Sequence, residues 1–207
     1  MKTYKNLYPK LCSLNNLISA YEKTREGKSF SPSIKKFEKN LIKELKKLKN
    51  ELETGTYQSK PLKRFIINDP KTRTIHASVV RDRVVQHALI NIIEPIFDKT
   101  FIYDSFASRI NKGTHRAVLR FDEFKRKISN NGQLVNNNYN NKNLVRGYVL
   151  KADIKHYFDT VDHEILLSSI ETKIKDKRVL CLIKLILNNH NTKMQGKGMP
   201  LGNVTSQ

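Results

Sequence analysis

Residues 148–166, with the sequence YVLKADIKHYFDTVDHEIL, constrain the fold most because an apolar run ends there in a single carboxylate. The apolar residues between Tyr148 and Ala152 predict a buried β-strand, with Asp153 at its end. A carboxylate held at a strand end suits Mg²⁺, which prefers oxygen ligands and commonly uses one or two carboxylates. An Asp that caps a turn or helix is the alternative interpretation. The segment therefore predicts a sheet with a candidate metal ligand at its edge.

The chain is strongly basic. Its 207 residues include 39 Lys plus Arg and 19 Asp plus Glu, which gives a formal net charge of +20. Such a charge attracts polyanions, so nucleic acid is the first class of partner to consider. Many of the lysines between residues 35 and 49 also fit a solvent-facing helix surface, which is the simpler explanation for that part of the charge. Charge alone therefore indicates a class of partner and no activity.

Composition also limits the compartment and the architecture. Apolar residues form 38% of the chain, which is enough for one or two packed cores. No apolar run approaches the roughly 20 residues of a membrane span, and the N-terminus lacks the apolar core of a signal peptide. We therefore expect no membrane association and a cytoplasmic location. Cys12 and Cys181 are far apart and lack metal-ligand spacing, so the sequence predicts neither a disulfide framework nor a zinc site.

Helix signals dominate the chain. Apolar residues recur at helical spacing in residues 11–27. A second helix is predicted from Ser31 as N-cap, with Pro32 at its first position, to Gly55. Further helices are predicted over residues 80–99, 114–128, 162–173 and 175–188, with Asp162 capping the third of these.

Two strands are predicted at Leu62–Asn68 and Thr72–Ser78, joined at an AspPro turn. They form a hairpin whose tip carries Lys71 and Arg73. Because helices separate this hairpin from the strand at residues 148–152, the pattern is typical of an α+β fold.

Three segments together resemble the reverse transcriptase family. ADIKHYFDTVDH, around Asp153, follows the family's pattern of an Asp, an aliphatic residue, an aromatic pair and a trailing AspXXAspHis. Arg81–Phe101 resembles the fingers of bacterial reverse transcriptases related to group II intron proteins. Gly198–Gln207, GMPLGNVTSQ, resembles the GxPxGxxxS segment of the palm. The three occur in the family's order and span roughly the last two thirds of the chain.

The resemblance implies a right-hand polymerase fold of class α+β, with fingers and a partial palm built as helices around a small antiparallel sheet. Residues 1–60 would form an N-terminal basic helical region. Residues 61–146 would form the fingers, with an Asn-rich insertion at about 129–143, and residues 147–207 the partial palm. The family's second pair of carboxylates lies in a TyrXAspAsp hairpin that no part of this chain contains. We therefore expect this piece to be truncated before that motif and the thumb, and inactive by itself.

The resemblance also implies the chemistry, which is addition of dNTPs to a primer 3′ hydroxyl on an RNA template, with two Mg²⁺ ions clamping the attacking and leaving oxygens. By resemblance, Asp153 is the first metal ligand and the carbonyl of Ile154 a second. Phe158 matches the aromatic steric gate that excludes a 2′ hydroxyl, although core packing explains it as well. Asp159, Asp162 and His163 are better explained as turn and cap residues.

Lys71 and Arg73 match the part of the fingers that closes on the incoming triphosphate, where a point charge and a bidentate fork both suit phosphate oxygens. Solvent-facing turn charges are the alternative. Arg81 and Arg83 fit nucleic-acid contacts and salt bridges equally well. Leu201 and Gly202 occupy the turn that lies against the nascent base pair in the family, where most relatives carry Gln before Gly.

The pattern LGNVTSQ resembles the reverse transcriptases of diversity-generating retroelements, which copy a template RNA with frequent errors at adenines and act with a small basic accessory protein. A group II intron or phage-defence reverse transcriptase is one alternative, and a non-catalytic RNA-binding module from a truncated gene is another. The DNA beyond codon 207 distinguishes the enzyme, which needs an in-frame TyrXAspAsp, from the binding module.

Overall fold

The computed structural model describes residues 2–68, 72–129, 131, 148–190 and 194–206. The chain forms two units: the first comprises Met1–Phe97 and Lys155–Gln207, and the second comprises Asp98–Ile154. The boundaries expected near residues 60 and 146 divide the chain by function, whereas these two units are defined by their contacts. The expected boundaries therefore stay a prediction.

Four helices begin the first unit: α1 (Tyr8–Leu11), α2 (Leu14–Arg25), α3 (Pro32–Glu38) and α4 (Leu41–Thr54). The single helix predicted from Ser31 to Gly55 is wrong, because Asn40 adopts φ −129° and ψ 31° and separates α3 from α4. The predicted ends are confirmed. Pro32 begins α3, and Gly55 follows α4 in the left-handed conformation with φ 72°.

The predicted hairpin is present as strands β1 (Lys63–Ile67) and β2 (Arg73–Ala77). They pair antiparallel, with Lys63 opposite Ala77 and Ile67 opposite Arg73. Of the two predicted tip residues, Lys71 lies outside the described residues, whereas Arg73 is the first residue of β2. Helix α5 (Val80–Asp98) follows directly and buries Val84, Val85 and Leu89, as its apolar periodicity predicts.

The second unit contains helix α6, which covers Thr114–Ile128 as predicted. Arg109 holds the preceding loop, because its Nε donates to Asp98 at 2.6 Å and its guanidinium also donates to the carbonyls of Ile102 and Ser105. The Asn-rich insertion expected at about 129–143 lies almost entirely outside the described residues.

The strand predicted at residues 148–152 is wrong. Residues 148–154 carry no regular secondary structure, and Tyr148, Val149 and Leu150 are 97%, 75% and 93% exposed. A strand needs a neighbour for its backbone groups. The one sheet in the described ranges is the β1–β2 pair, and neither of its strands pairs with this segment.

Three α-helices follow in the first unit, α7 (Tyr157–Thr160), α8 (His163–Glu171) and α9 (Lys177–Asn188), and one turn of 3-10 helix at Val204–Ser206 comes after them. Helix α9 begins two residues later than predicted because Asp176 is its N-cap and accepts from the amides of Arg178 and Val179. The second carboxylate oxygen of Asp176 accepts from the amides of Leu7 and Tyr8 at 2.7 and 2.9 Å. One side chain therefore joins the start of the chain to α9.

The core of the first unit combines side chains from most of its helices. Its most deeply buried members include Leu11, Leu17, Ile34, Leu45, Leu48, Leu52, Val84, Val85, Leu89, Ile174 and Val179. Helices packed around a small antiparallel sheet confirm the α+β class. None of the described helices combines the length and apolar character that a bilayer crossing requires.

Candidate functional site

The Gly198–Ser206 segment lies against the connection between α7 and α8. The amide of Gly198 donates to the carbonyl of Val161, and the amide of Met199 donates to the carbonyl of Phe158, both at 2.7 Å. His163 is buried, and its Nε2–H donates to the carbonyl of Gly198 at 2.7 Å. Residues 198 and 199 are therefore attached to this connection mainly through backbone atoms.

The same segment contacts β2 on its other side. The amide of His76 donates to the carbonyl of Leu201 at 2.9 Å. Gly202 has φ +109°, and a Cβ built there would lie 2.6 Å from Cγ2 of Ile75. Both the backbone conformation and the close approach therefore require glycine at this position. Substrate contact by Leu201 and Gly202 stays a prediction.

A buried polar network joins three segments beside this turn. Ser78 Oγ donates to Asn203 Oδ1 at 2.7 Å, and Gln86 Nε2 donates to Ser78 Oγ at 2.8 Å. All three residues are buried: the exposed fraction is 2% for Ser78 and 3% for each of Asn203 and Gln86. Nothing in the sequence pattern singles out Ser78 or Asn203. Gln86 stands within the apolar stretch VVQHAL, which is a signal for a buried hydrogen bond.

Phe158 is partly buried and packs against the core, with its ring edge-on to that of Tyr157 at 5.5 Å between centroids. Its carbonyl is the acceptor for Met199, so its backbone lies beside the Gly198–Ser206 segment. Core packing therefore accounts for part of its environment, and the steric-gate role stays a prediction. Arg73 is exposed at the first position of β2. Lys71, its predicted companion, falls outside the described residues.

Asp153 and Ile154 belong to the second unit, whereas Arg73, Phe158, Leu201 and Gly202 belong to the first. Asp153 and Ile154 are both exposed, and the exposed fraction of Ile154 is 70%. Within the described ranges, His, Cys, Asp and Glu side chains form no group of three or more that could hold a metal ion. A single carboxylate and a carbonyl have the right donor chemistry for Mg²⁺ but fall short of its octahedral set.

Asp162 acts as the sequence predicts, whereas His163 is not a cap: it is the first residue of α8, and its buried ring bonds to the carbonyl of Gly198. Asp162 is the N-cap of α8 and accepts from the amides of Glu164 and Ile165. Asp159 is exposed in α7, with its carboxylate 3.3 Å from the ring of His156. These contacts account for Asp159 and Asp162 as turn and cap residues.

Arg81 takes part in a salt bridge, one of the two roles that its sequence position allowed. Its guanidinium pairs with Glu51 and lies 5.1 Å from the centre of the Tyr57 ring. Asp82 beside it is buried and accepts from the hydroxyl of Tyr57 and the amide of Lys60. Burial raises the pKa of Asp82 above its ordinary value, and these hydrogen bonds oppose the rise.

A basic groove of about 970 Å³ lies on the first unit between α3, the start of α4 and the approach to β1. Its walls carry five lysines and an aromatic ring, Phe30, that is 86% exposed. The lysines are Lys35, Lys36, Lys39, Lys60 and Lys63. Clustered ammonium groups beside an exposed ring suit a nucleic-acid strand, whose phosphates and bases they can bind together.

Comparison with known proteins identifies a protein family whose model this chain matches. The model of the family "Reverse transcriptase (RNA-dependent DNA polymerase)" matches residues 63–207. The chain is 30% identical over 174 residues to protein YkfC of Escherichia coli K12, covering 80% of this chain and 42% of that protein.

Two further relatives are named after introns. The group II intron-encoded protein LtrA of Lactococcus lactis is 28% identical over 78% of this chain and 25% of its own length. A putative COX1/OXI3 intron 1 protein of Saccharomyces cerevisiae is 27% identical, over 78% of this chain and 18% of its own length. The chain thus spans less than half the length of these relatives.

Proposed function

Because the chain belongs to the reverse transcriptase (RNA-dependent DNA polymerase) family and is of the group II intron type, we propose that it forms the fingers and part of the palm of an RNA-directed DNA polymerase with a right-hand fold. The enzyme adds dNTPs to a DNA or RNA primer on an RNA template. One observation carries the proposal. The Gly198–Ser206 segment is hydrogen-bonded both to the carbonyl of Phe158 and to β2, so three of the elements that would surround a nucleotide are in contact.

In this proposal Arg73 and Lys71 bind the triphosphate, because an exposed guanidinium at the start of β2 is free to form a bidentate contact with phosphate oxygens. Phe158 supports the sugar and excludes a 2′ hydroxyl. Leu201 and Gly202 lie against the nascent base pair, where a bare glycine backbone allows close approach. The basic groove with Phe30 contributes to binding of template or primer.

Asp153 contributes a carboxylate, and Ile154 its carbonyl, to a Mg²⁺ site that needs further ligands. The metal ions supply charge stabilisation at the reacting phosphate when bound. Because the described residues do not complete such a site, we assign no step of the reaction to the metal. We also expect the protein to act in the cytoplasm, where RNA templates and dNTPs occur together.

Two finer functions are distinguishable. The names of LtrA and of the yeast intron protein favour a group II intron role. The LGNVTSQ pattern favours mutagenic copying in a diversity-generating retroelement, with a small basic accessory protein as partner. A template repeat and a variable repeat near the gene that differ at adenines would establish the second, and an intron surrounding the gene would establish the first.

Primer extension tests the polymerase itself. The gene is expressed from codon 1 to its first stop codon, and the product is assayed with dTTP on poly-rA primed with oligo-dT, with Mg²⁺ or with EDTA. We expect Mg²⁺-dependent extension that Asp153→Asn lowers at least about 100-fold. Asp159→Asn is the matched control and should retain activity, because Asp159 is an exposed residue whose neighbour is His156.

An intact product that binds poly-rA but extends no primer would contradict the polymerase and establish the RNA-binding module instead. Extension that survives Asp153→Asn would contradict the assignment of Asp153 as a metal ligand.

A further inference from the structure

The network of Ser78, Gln86 and Asn203 lies where two parts of the proposed nucleotide site meet a helix of the core. Ser78 directly follows β2, the strand that carries Arg73, and Asn203 directly follows Gly202. Gln86 is on α5, which also contributes to the core of the first unit. The two hydrogen bonds therefore attach a turn and a hairpin to one side chain of a core helix.

Ser78 is the middle member of the network. Gln86 Nε2 donates to the hydroxyl of Ser78, and that hydroxyl donates to the carboxamide oxygen of Asn203. Because a hydroxyl has a single proton, Ser78 donates to one neighbour, Asn203, and accepts from the other, Gln86. All three side chains are buried, and Gln86 Oε1 already has no partner among the described residues, so loss of either hydrogen bond would leave a further buried polar atom unpaired. The network therefore selects one position of Asn203 relative to β2.

Two other contacts depend on that position. The hydrogen bond from the His76 amide to the Leu201 carbonyl is made two residues before Asn203 along the turn, and Gly202 approaches Ile75 between them. A displacement of Asn203 would change the separation between Leu201 and β2. By contrast, the large apolar residues of α2 and α4 are buried without any contribution from this network.

We propose that Ser78, Gln86 and Asn203 are positioning residues that hold Leu201 and Gly202 at a fixed distance from β2 and thereby set the affinity for the incoming nucleotide. The inference rests on the proposed function, because it assumes that this turn contacts the nascent base pair. None of the three touches the nucleotide. They act through the backbone of the turn.

Hydrogen–deuterium exchange on the 207-residue chain tests the structural half. Ser78→Ala removes both hydrogen bonds, and Asn203→Ala removes one. We expect the His76 amide and residues 198–206 to exchange about tenfold faster or more in both variants, with α2 and α4 unchanged. Ser78→Thr keeps the hydroxyl and should match the wild type. Equal acceleration throughout the first unit, or none at the turn, would overturn the inference.

Steady-state kinetics on the complete gene product tests the catalytic half. We expect Ser78→Ala and Asn203→Ala to raise the KM for dTTP about tenfold while kcat changes less than about threefold, and Ser78→Thr to restore the KM. A general loss of folded protein would instead lower the apparent kcat and leave KM unchanged. An active wild type with an unchanged KM in both Ala variants would refute the inference. Absence of extension by the wild type would refute the proposed function and, with it, the catalytic half of this inference. The exchange experiment would still decide whether the network holds the turn against β2.

Discussion

Gly202 and Ile75 approach each other so closely that a single added carbon would lie 2.6 Å from Cγ2 of Ile75. The two residues are 127 positions apart in the sequence. Their contact shows that the turn packs closely against β2. Gly202 also has φ +109°, which side-chain-bearing residues rarely adopt.

Gly202→Ala should therefore destabilise the first unit by about 2 kcal/mol or more, because backbone strain and steric overlap add. Gly196→Ala is the matched control. Gly196 also has a positive φ, of +76°, but a Cβ there meets no atom within 4 Å of the described structure, so only the strain of about 1 kcal/mol is expected. Urea unfolding measures both, and Ile75→Ala should reduce the cost of Gly202→Ala. An equal cost at Gly202 and Gly196 would contradict the close contact.

The ion pair of Arg81 and Glu51 should contribute more to the free energy of unfolding than the exposed pair of Lys49 and Glu53 on α4. Both side chains are less than one fifth exposed, at 15% and 18%. We expect Glu51→Gln to cost about 1–2 kcal/mol, since it leaves the partly buried guanidinium with only the more distant carboxylate of Asp82, at 3.8 Å. Glu53→Gln breaks the exposed pair with Lys49 and should cost less than about 0.5 kcal/mol. Chemical unfolding of both variants gives the comparison, and equal costs would indicate that Arg81 is free for other partners.

His87 should make the first unit less stable in mild acid. Burial lowers the pKa of His87 to about 4, and Lys23, Lys28 and Arg83 add to the shift. The unfolded chain takes up a proton near pH 6.5 and the folded chain does so only near 4, so the free energy of unfolding falls as the pH drops through this window, by at most about 3 kcal/mol.

His87→Gln removes this titration and should flatten the profile between pH 6.5 and 4. Because burial also lowers the pKa of His190, the difference between wild type and variant is the quantity to measure. His115→Gln, an exposed position on α6, serves as the control. Identical slopes for wild type and His87→Gln would show that His87 titrates alike in both states.

Phe158 should determine sugar selectivity if the proposed polymerase is correct. We expect Phe158→Ala to raise incorporation of rTTP relative to dTTP by about 100-fold, because the ring that meets the 2′ hydroxyl is lost. Tyr157→Ala removes the neighbouring ring and should leave the ratio unchanged. Competition between the two nucleotides in primer extension gives the ratio directly. A Phe158→Ala enzyme that still rejects rTTP would assign the ring to core packing alone.

Leu201 should affect fidelity. An aliphatic side chain beside the base pair offers no hydrogen bond to the nucleotide, so Leu201→Gln is expected to lower errors at template adenines about tenfold. Sequencing of the cDNA from both enzymes provides the error rates. Unchanged errors would mean that Leu201 has no part in base selection.

Local patterns predicted those elements whose determinants are near in sequence. Pro32, Gly55 and Asp162 mark helix ends through their own backbone or side-chain chemistry, and each acts as expected. The division at Asn40 was missed because the apolar periodicity continues across it. The strand at 148–152 was predicted from apolar character alone, which cannot supply a neighbouring strand.

The site was predictable only in part. Motif resemblance predicts Phe158, Leu201 and Gly202 as site residues; the structure brings them into one unit, and their contact with a nucleotide stays a prediction. The pairing of Ser78 with Asn203 spans 125 residues, and no local rule connects two small polar side chains at such a distance. Their importance becomes visible only through burial and hydrogen bonding.

The carboxylate of Asp176 has a consequence for synthesis of the protein. It accepts from the amides of Leu7 and Tyr8, and Tyr4 pairs with Ile174 nearby. The first helices therefore lack part of their support until the ribosome has produced and released residue 176, which takes roughly 10–35 s at ordinary elongation rates. During that interval the amides of Leu7 and Tyr8 have no carboxylate to accept from them, so the N-terminus of α1 reaches its final hydrogen bonding only after the start of α9 has been synthesised.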